Sequence, residues 1–426
     1  MGLMPRAAKK TRAPSTARGL ATRERLLAAA QEVFAEGSYH EVSVSAICRR
    51  AGVALGTFYQ YFADKEAIFS ELVARASMAL QMELTRVLHT EGDLRAQLDR
   101  ILTAFFAFIR HHRASYRIFR EVEFINKRMH HRFYDGLIAL LREFLAEQRR
   151  RGQIRALDPE VAATALIGVA YFLTLRWLIL GPGEVPESAR HTAVEFLLSG
   201  IDTGRPLTSS RHPGGATSFS EVTPSPPVTR GALSRQRLLQ AAKACFSRKG
   251  FYATSIAEIT RRAGVSLGAF YLYFSSKTEI LDELVRDLNT QLRRNARAAI
   301  AGLTDRREIE REGFRAFFDF IRRNREAYRI VREAEFVSPS VARWYFERLA
   351  HGYVRGLQEG MRRGEIRPLD AEALAYCLMG IGHFVGLRWV VWSKRSTLPK
   401  RALHHVIDLI LHGLKASPSR EEGSPS

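Results

Sequence analysis

Apolar residues recur every three to four positions along most of the chain, which is the period of an amphipathic α-helix. In the segment TRERLLAAAQEVFAEG, the apolar stripe consists of Leu26, Leu27, Ala30, Val33 and Phe34. A glycine follows this stripe, at a place where helices commonly end. Because the same period continues through the rest of the chain, the sequence predicts an all-α fold.

The helical pattern occurs twice in the chain. The segment AGVALGTFYQYFADK at 51–65 returns as AGVSLGAFYLYFSSK at 263–277, a displacement of 212 residues, and RRGQIRALD returns as RRGEIRPLD at the same displacement. Between the copies, 16 of the 25 residues at 205–229 are Pro, Gly, Ser or Thr. The sequence therefore predicts two copies of one helical fold joined by a flexible linker.

Each copy begins with three short helices, the last two of which are joined by a glycine. Ser43 and Ser255 stand where the N-cap of the second helix is expected. Gly52 and Gly264 follow that helix and can adopt the left-handed conformation that a tight turn requires. This arrangement predicts a helix-turn-helix unit in each copy. The phenylalanines of the third helix, spaced four apart, are expected to face the core: Phe58, Phe62, Phe270 and Phe274.

The runs VSVSAICRRAGVALGTFYQYFADKEAIFSELV and TSIAEITRRAGVSLGAFYLYFSSKTEILDELV resemble the DNA-binding signature of the TetR/AcrR transcriptional regulators. The resemblance implies two tandem TetR-like units, each with a three-helix DNA-binding domain and a helical bundle that binds an effector and dimerises. The predicted parts are a disordered basic arm at 1–20, a first helix-turn-helix domain at 21–66, a first regulatory domain at 67–204, the linker at 205–229, a second helix-turn-helix domain at 230–278, a second regulatory domain at 279–415 and a disordered tail at 416–426.

The expected DNA contacts lie on the second and third helices and at the start of the fourth. Short or polar side chains are suited to base edges, whereas hydroxyls and cations are suited to phosphates. By the resemblance, base contacts fall near Ser45, Leu55 and Thr57, and phosphate contacts near Tyr59, Tyr61 and Lys65. The full expected set is Ser43, Ser45, Leu55, Thr57, Tyr59, Gln60, Tyr61 and Lys65 in the first copy, and Ser255, Leu267, Ala269, Tyr271, Leu272, Tyr273 and Lys277 in the second.

The charge balance agrees with a nucleic-acid partner. The chain has 65 Lys and Arg against 44 Asp and Glu, and such an excess favours a polyanion. The basic segment that ends at Arg25 is a second candidate for DNA contact, with a solubilising tail as the alternative. Three well-separated cysteines and the lack of a secretory signal pattern favour the reducing cytoplasm.

Two apolar stretches raise the question of a membrane. The segment at 161–181 is long enough to span a bilayer, but it contains Arg176, and its counterpart contains His383 and Arg388. We therefore expect buried helices and no membrane partner. The two arginines must be paired or lie near water, and the available partners are Glu121, Glu123, Glu333 and Glu335. A structural ion pair is expected, with a site for an anionic ligand as the alternative.

The bundles offer candidate residues for an unidentified small-molecule effector. Aromatic side chains beside charged ones are typical of a pocket wall and equally of a core. The candidates are Phe105, Tyr116 and Arg176 in the first copy, and Phe317, Tyr328 and Arg388 in the second. The chain has no nucleophile elbow, Walker loop, dinucleotide fingerprint or zinc motif, so no enzyme, cofactor or metal site is expected.

The function expected from these observations is a sequence-specific regulator of transcription that binds a double-stranded DNA operator and acts as a ligand-released repressor. The alternative is an architectural or interaction protein that binds DNA non-specifically. Duplication suggests an intrachain pseudo-dimer, in which the helices at 189–201 and 401–414 pack together; a homodimer of chains remains open. Because Ala269 and Leu272 replace Thr57 and Gln60, the operator is expected to be an imperfect palindrome.

Overall fold

The computed structural model describes residues 16–200, 202–203, 230–394 and 397–413. These residues form helices and connecting turns, with one isolated antiparallel bridge between Asp202 and Ile366. The all-α prediction is confirmed. The predicted linker and tail, at 205–229 and 416–426, lie outside the described residues, as does the arm as far as residue 15.

The two copies have the same order of helices. The helices of the first copy are α1 (Ala17–Glu36), α2 (Val44–Ala51), α3 (Leu55–Tyr61), α4 (Lys65–Leu88), α5 (Leu94–His111), α6 (Arg113–Ile125), α7 (Lys127–Arg150), α8 (Pro159–Leu173) and α9 (Glu187–Ser199). The helices of the second copy are α10 (Arg230–Lys249), α11 (Ile256–Ala263), α12 (Leu267–Tyr271), α13 (Lys277–Ile300), α14 (Arg306–Arg323), α15 (Tyr328–Val337), α16 (Pro339–Arg362), α17 (Ala371–Val385) and α18 (Lys400–His412).

The first helix starts earlier than the sequence indicated. Disorder was expected through residue 20, but α1 begins at Ala17. The side chain of Thr16 accepts a hydrogen bond from the N–H of Gly19 at 3.1 Å, so it caps the free N–H groups of the first turn. The predicted disordered arm is therefore wrong for residues 17–20.

The described residues form two compact units that do not follow the boundary between the copies. The chain up to His89 and the segment Ala107–Leu137 form the first unit. The segment Thr90–Phe106 and the chain from Ile138 onward form the second. The second unit therefore contains the described part of the second copy together with parts of α5 and α7 and the whole of α8 and α9 from the first.

Within the second unit, α8 packs along α17 in the most extensive contact between described helices. The two helices approach most closely at Gly168 and Gly380: a Cβ atom added to either glycine would overlap the backbone carbonyl of the other. Their lengths and hydropathy would also suit a membrane span, but 83% and 78% of the apolar windows are buried inside the protein. Packing between the copies thus accounts for the apolar character of these helices.

Both α8 and α17 continue into a π-helical turn that carries an arginine. These turns span Thr174–Ile179 and Gly386–Val391. The Nε of Arg176 donates to Glu372 at 2.7 Å, and the Nε of Arg388 donates to Glu160 at 3.0 Å. Each ion pair joins one copy to the other, and the two pairs use equivalent positions.

The expected arginine partners were therefore wrong. Glu121 and Glu333 hold backbone N–H groups in their own copies, those of Tyr39 and Phe251. The glutamates at the starts of α8 and α17 neutralise the arginines instead. The sequence predicted an ion pair but gave no means of predicting that the partner lies on the other copy.

The helices α9 and α18 also pack against each other, as expected from the sequence. At the ends of these helices, Gly200 and Gly413 have φ angles of 62° and 70°, and a Cβ atom at either would overlap backbone of the opposite helix. Such positions admit glycine alone without rearrangement. The two copies therefore meet through two pairs of equivalent glycines.

The close approach at Gly168 predicts a specific sensitivity to a single methyl group. Gly168→Ala is expected to lower the free energy of unfolding by about 1–3 kcal/mol, because the added Cβ overlaps the Gly380 carbonyl and forces the helices apart. Gly313→Ala is the control: it lies within a helix with no atom near its Cβ and should raise stability by about 0.5–1 kcal/mol. Chemical denaturation of both variants measures the difference, and equal effects would contradict the close approach.

Candidate nucleic-acid interface and effector cavity

In the first unit, α2 and α3 form a tight helix-turn-helix. The side chain of Ser43 caps α2 by accepting from the N–H of Ala46 at 3.1 Å. Gly52 adopts φ 66° and ψ 39°, and the N–H of Val53 donates to the carbonyl of Cys48 at 3.0 Å. These bonds close the end of α2 in the manner of a left-handed C-cap. The turn thereby fixes the direction in which α3 leaves α2.

The third helix of the first copy has a buried side and a solvent side. Phe58 and Phe62 are buried, which confirms their predicted place in the core. The expected DNA contacts lie away from them. Ser43, Ser45, Leu55, Tyr59 and Gln60 are exposed, and Thr57, Tyr61 and Lys65 are partly buried.

The second unit repeats this construction with a shorter third helix, α12. Gly264 adopts φ 67° and ψ 39°, and Ser255 caps α11. The helix α12 has 5 residues, whereas α3 has 7. Its N-cap is Ser266, which accepts from the N–H of Ala269 at 3.2 Å, whereas the equivalent Ala54 has no side chain able to do so. Phe270 and Phe274 are buried as predicted.

The solvent side of α12 is more apolar than that of α3. Leu272 is 79% exposed at the position where the first copy has Gln60. A glutamine amide can donate to and accept from a base edge, whereas leucine offers only an apolar contact. The other expected contacts are placed as follows: Ser255, Leu267 and Tyr271 are exposed, and Ala269, Tyr273 and Lys277 are partly buried.

The lysine at the start of the fourth helix is bound to the protein itself. The Nζ of Lys65 donates to the carbonyls of Tyr39 and Val42 at 2.7 and 2.8 Å. The Nζ of Lys277 donates to those of Phe251 and Thr254 at 2.9 and 2.7 Å. Each ammonium also lies over an aromatic ring, with its Nζ 4.3 Å from the centroid of Tyr39 in one copy and 4.2 Å from that of Phe251 in the other.

This geometry opposes the expected phosphate contact. Burial lowers the pKa of both lysines, although the nearby carboxylates of Glu121 and Glu333 partly offset the shift. Two of the three N–H donors on each ammonium are already used. We therefore assign Lys65 and Lys277 to the internal support of the helix-turn-helix.

A second internal support uses an arginine of the basic segment. Arg23 forms a two-pronged ion pair with Glu71 of α4, including a 2.6 Å bond from Nη1, and its guanidinium lies 5.2 Å from the ring centroid of Phe62. In the second copy, Arg235 pairs with Glu283 in the same way. The three helices α1–α3, and equally α10–α12, are called a head from here on. These arginines hold the first helix of each head against the helix that follows the head, so they are not free to follow a DNA groove.

Each head is joined to its bundle by a buried glutamate. In the first unit, Glu121 of α6 accepts from the N–H of Tyr39 at 2.8 Å. In the second unit, Glu333 of α15 accepts from the N–H of Phe251 at 2.9 Å. The carboxylate thus holds the same loop whose carbonyls accept from the lysine. These glutamates were expected to pair with arginine, and their bond to a backbone N–H 82 residues away has no signal in the local sequence.

The second unit contains a cavity of about 680 Å³ lined by helices of the second copy and by Phe172. Its lining includes Phe317 and Tyr328, two of the six residues expected to bind an effector. The hydroxyl of Tyr328 lies 2.7 Å from Nδ1 of His383, which also lines the cavity. Of the other four, Arg176 and Arg388 form the ion pairs between copies, whereas Phe105 is half-buried and Tyr116 buried in the first copy.

Five arginines at the cavity were not singled out from the sequence: Arg306 and the set Arg293, Arg297, Arg348 and Arg355. The spacing of the last four could have indicated them. Arg293 and Arg297 are four residues apart, and Arg348 and Arg355 are seven apart, which places each pair on one face of its helix. The equivalent positions of the first copy contain no arginine.

Comparison with known proteins agrees with this geometry. The sequence profile described as "Bacterial regulatory proteins, tetR family" matches residues 26–72 and 238–284, which contain the two heads. An uncharacterised HTH-type transcriptional regulator of Bacillus subtilis, YdgC, is 30% identical over 191 residues, which are 44% of this chain and 95% of that protein. The HTH-type transcriptional activator FasR of Mycolicibacterium smegmatis is 38% identical over 109 residues, which are 25% of this chain and 50% of that protein.

A solved structure is also similar. The regulator FadR of Bacillus subtilis, crystallised with stearoyl-CoA, matches 41% of this chain and 96% of its own length, with 21% identity and a TM-score of 0.36. YdgC matches a share of this chain close to that of one copy.

The lysine geometry predicts how Lys65→Met and Lys277→Met behave. Each variant should lose about 1–3 kcal/mol of stability, because two carbonyls lose a charged donor. The slope of log affinity for DNA against log salt should stay unchanged, whereas loss of a phosphate contact reduces it by about 0.9. Lys127→Met, at an exposed lysine of α7, is the matched control. A reduced slope with unchanged stability would restore the phosphate assignment.

Proposed function

We propose that this chain, which belongs to the TetR family of bacterial regulatory proteins, is a ligand-responsive repressor. Its two copies form the two halves of one dimer. Its partners are a double-stranded DNA operator and a small-molecule effector. We place it in the cytoplasm, where both are found. The burial of its two most apolar helices agrees with that location.

The proposal of a pseudo-dimer rests on one observation: each ion pair between the copies has an equivalent pair in which the two copies exchange roles. Arg176 pairs with Glu372, and the equivalent Arg388 pairs with the equivalent Glu160. A two-fold dimer of identical chains makes every contact twice in this way. Here both members of each pair belong to the same chain, so the chain supplies its own partner.

Two further ion pairs support the same arrangement. Arg155 of the first copy pairs with Asp408 at 2.9 Å, and the equivalent Arg367 pairs with Glu195 at 3.3 Å. The acidic partners stand at nearby, not identical, positions of α18 and α9. The two halves have therefore diverged in detail, which a homodimer of identical chains does not allow.

The heads differ in what they offer to base edges. Thr57 and Gln60 give the first head two hydrogen-bonding side chains, whereas Ala269 and Leu272 give the second head none at those positions. A bidentate pair such as glutamine with adenine discriminates by about 1–3 kcal/mol. The operator is therefore an imperfect palindrome, with the sharper base preference in the half that the first head reads.

The effector response passes through α15 in the second copy. Tyr328 at the start of this helix lines the cavity, and Glu333 on the same helix holds the head through the N–H of Phe251. A ligand that binds one position of α15 better than another shifts the population of head positions. When the ligand moves the heads out of the orientation that fits the operator, the protein dissociates from the DNA.

Selection of binding sites from random DNA duplexes tests this proposal. The unmodified chain should select two unequal half-sites. The double variant Ala269→Thr and Leu272→Gln should select a more symmetric site, because both heads then carry the same pair of side chains. The matched variant Thr57→Ala and Gln60→Leu should instead weaken the preference in the sharper half.

Two outcomes would count against the proposal. A perfect palindrome with equal information in both halves, selected by the unmodified chain, would indicate that two chains present their first heads together. If the unmodified chain bound DNA without selecting any sequence, the proposed function as a sequence-specific regulator would be wrong.

A further inference from the structure

We infer that the second copy contains a binding site for an anionic amphiphile, a molecule with an apolar chain and a carboxylate or phosphate head, and that each chain binds one such molecule. The inference rests on the proposed function and names the effector class. It adds that effector sensing is confined to one of the two copies.

The cavity has the size and composition that such a ligand requires. Its volume of about 680 Å³ lies within the range of about 300–1,000 Å³ typical of small-molecule sites. The buried part of the wall is mainly apolar or aromatic: Leu292, Phe314, Tyr345, Phe346 and Leu378. Apolar walls of this kind favour a hydrocarbon chain, because binding removes its surface from water.

The rim of the cavity is positively charged. Arg297, Arg348 and Arg355 are exposed and Arg293 is partly buried, and among the described residues none of these four side chains has an ion-pair or hydrogen-bond partner. Burial, followed by the charges of Arg348, Arg297 and Arg355, lowers the pKa of Arg293. Unneutralised guanidinium groups in such proximity repel one another, and a carboxylate or phosphate would bind them in forked geometry and relieve the repulsion.

A fifth arginine of the cavity differs from the four at the rim because its charge is paired. Arg306 also lines the cavity, but it is buried and donates to Glu310 at 2.8 Å from Nε. Tyr353 donates its hydroxyl to the same carboxylate. Arg306 is thus neutralised by the protein, so the unpaired charge is confined to the four arginines of the rim.

The first copy has different residues at the rim and at the wall of this site. At the displacement of 212 residues, the four rim arginines correspond to Gln81, Thr85, Gly136 and Glu143. Two glycines of the cavity wall, Gly313 and Gly352, correspond to Ile101 and Leu140. Large aliphatic side chains therefore stand where the second copy leaves space. The two copies therefore share one fold, but only the second has the residues of the effector site.

The two wall glycines offer a way to fill the cavity without disturbing the fold. A Cβ atom at Gly313 or Gly352 would meet no atom within 4 Å, and both residues lie inside helices. The double variant Gly313→Ile and Gly352→Leu introduces the side chains of the first copy. Because glycine weakens a helix, this variant should melt at the same temperature as the unmodified chain or higher.

Calorimetric titration of the full chain tests the site with four probes: laurate and dodecyl phosphate below their critical micellar concentrations, the neutral dodecanol below its solubility limit, and inorganic phosphate. Laurate and dodecyl phosphate should bind with one molecule per chain, and the tighter of the two identifies the head group. Dodecanol and inorganic phosphate should bind at least 10-fold more weakly, since each lacks one half of the ligand.

The variants separate the rim from the wall. Arg293→Gln with Arg348→Gln should weaken binding of both anionic probes at least 10-fold and leave dodecanol unaffected. Arg294→Gln removes a charge from an exposed position of the same helix that does not line the cavity, and it should bind like the unmodified chain. The filled variant Gly313→Ile and Gly352→Leu should lose binding of every probe while it keeps its melting temperature.

Two molecules per chain, equal binding of dodecanol and laurate, or normal binding by the filled variant would each overturn the inference. Operator binding without probe is measured in parallel. A chain that binds its operator but no anionic amphiphile would defeat the inference and leave the regulator function standing. A chain that binds the probes as expected but keeps its operator affinity would support the site and defeat the ligand response in the proposed function.

Discussion

The contact on which the rest of the structure depends is the close approach of α8 and α17 at Gly168 and Gly380. Only glycine at both positions lets the two backbones meet, and this brings one long apolar surface from each copy into a shared core. The ion pairs of Arg176 and Arg388 at its edge are partly exposed, so each contributes about 0–1 kcal/mol. Apolar packing therefore supplies most of the stability of the interface, and the ion pairs fix its register.

A second constraint acts at each joint between head and bundle. The loop before α2 is held from two sides, by the ammonium of Lys65 and the carboxylate of Glu121 in the first copy, and by Lys277 and Glu333 in the second. The joint is the same in both copies, but only in the second does its helix also line the described cavity. The copies thus share the contacts that join head to bundle, whereas the rim arginines that would bind an effector belong to the second copy alone.

The sequence predicted the features that depend on local pattern. Helices, the repeat, the glycine turns at Gly52 and Gly264 and the buried phenylalanines all follow from periodicity or from spacing within a few residues. The features that were missed depend on distant partners. The carbonyls that bind Lys65 lie 23 and 26 residues before it, and the glutamate that pairs with Arg176 lies 196 residues after it. No local pattern distinguishes a lysine that binds phosphate from one that binds its own backbone.

In the proposed arrangement, one chain supplies both halves of the dimer that binds one operator. Native mass spectrometry of the chain on a duplex that contains the selected operator tests it most directly. A complex with one chain of 48.2 kDa per duplex is expected at every protein concentration that saturates the DNA. A complex with two chains per duplex, formed without a one-chain intermediate, would contradict it.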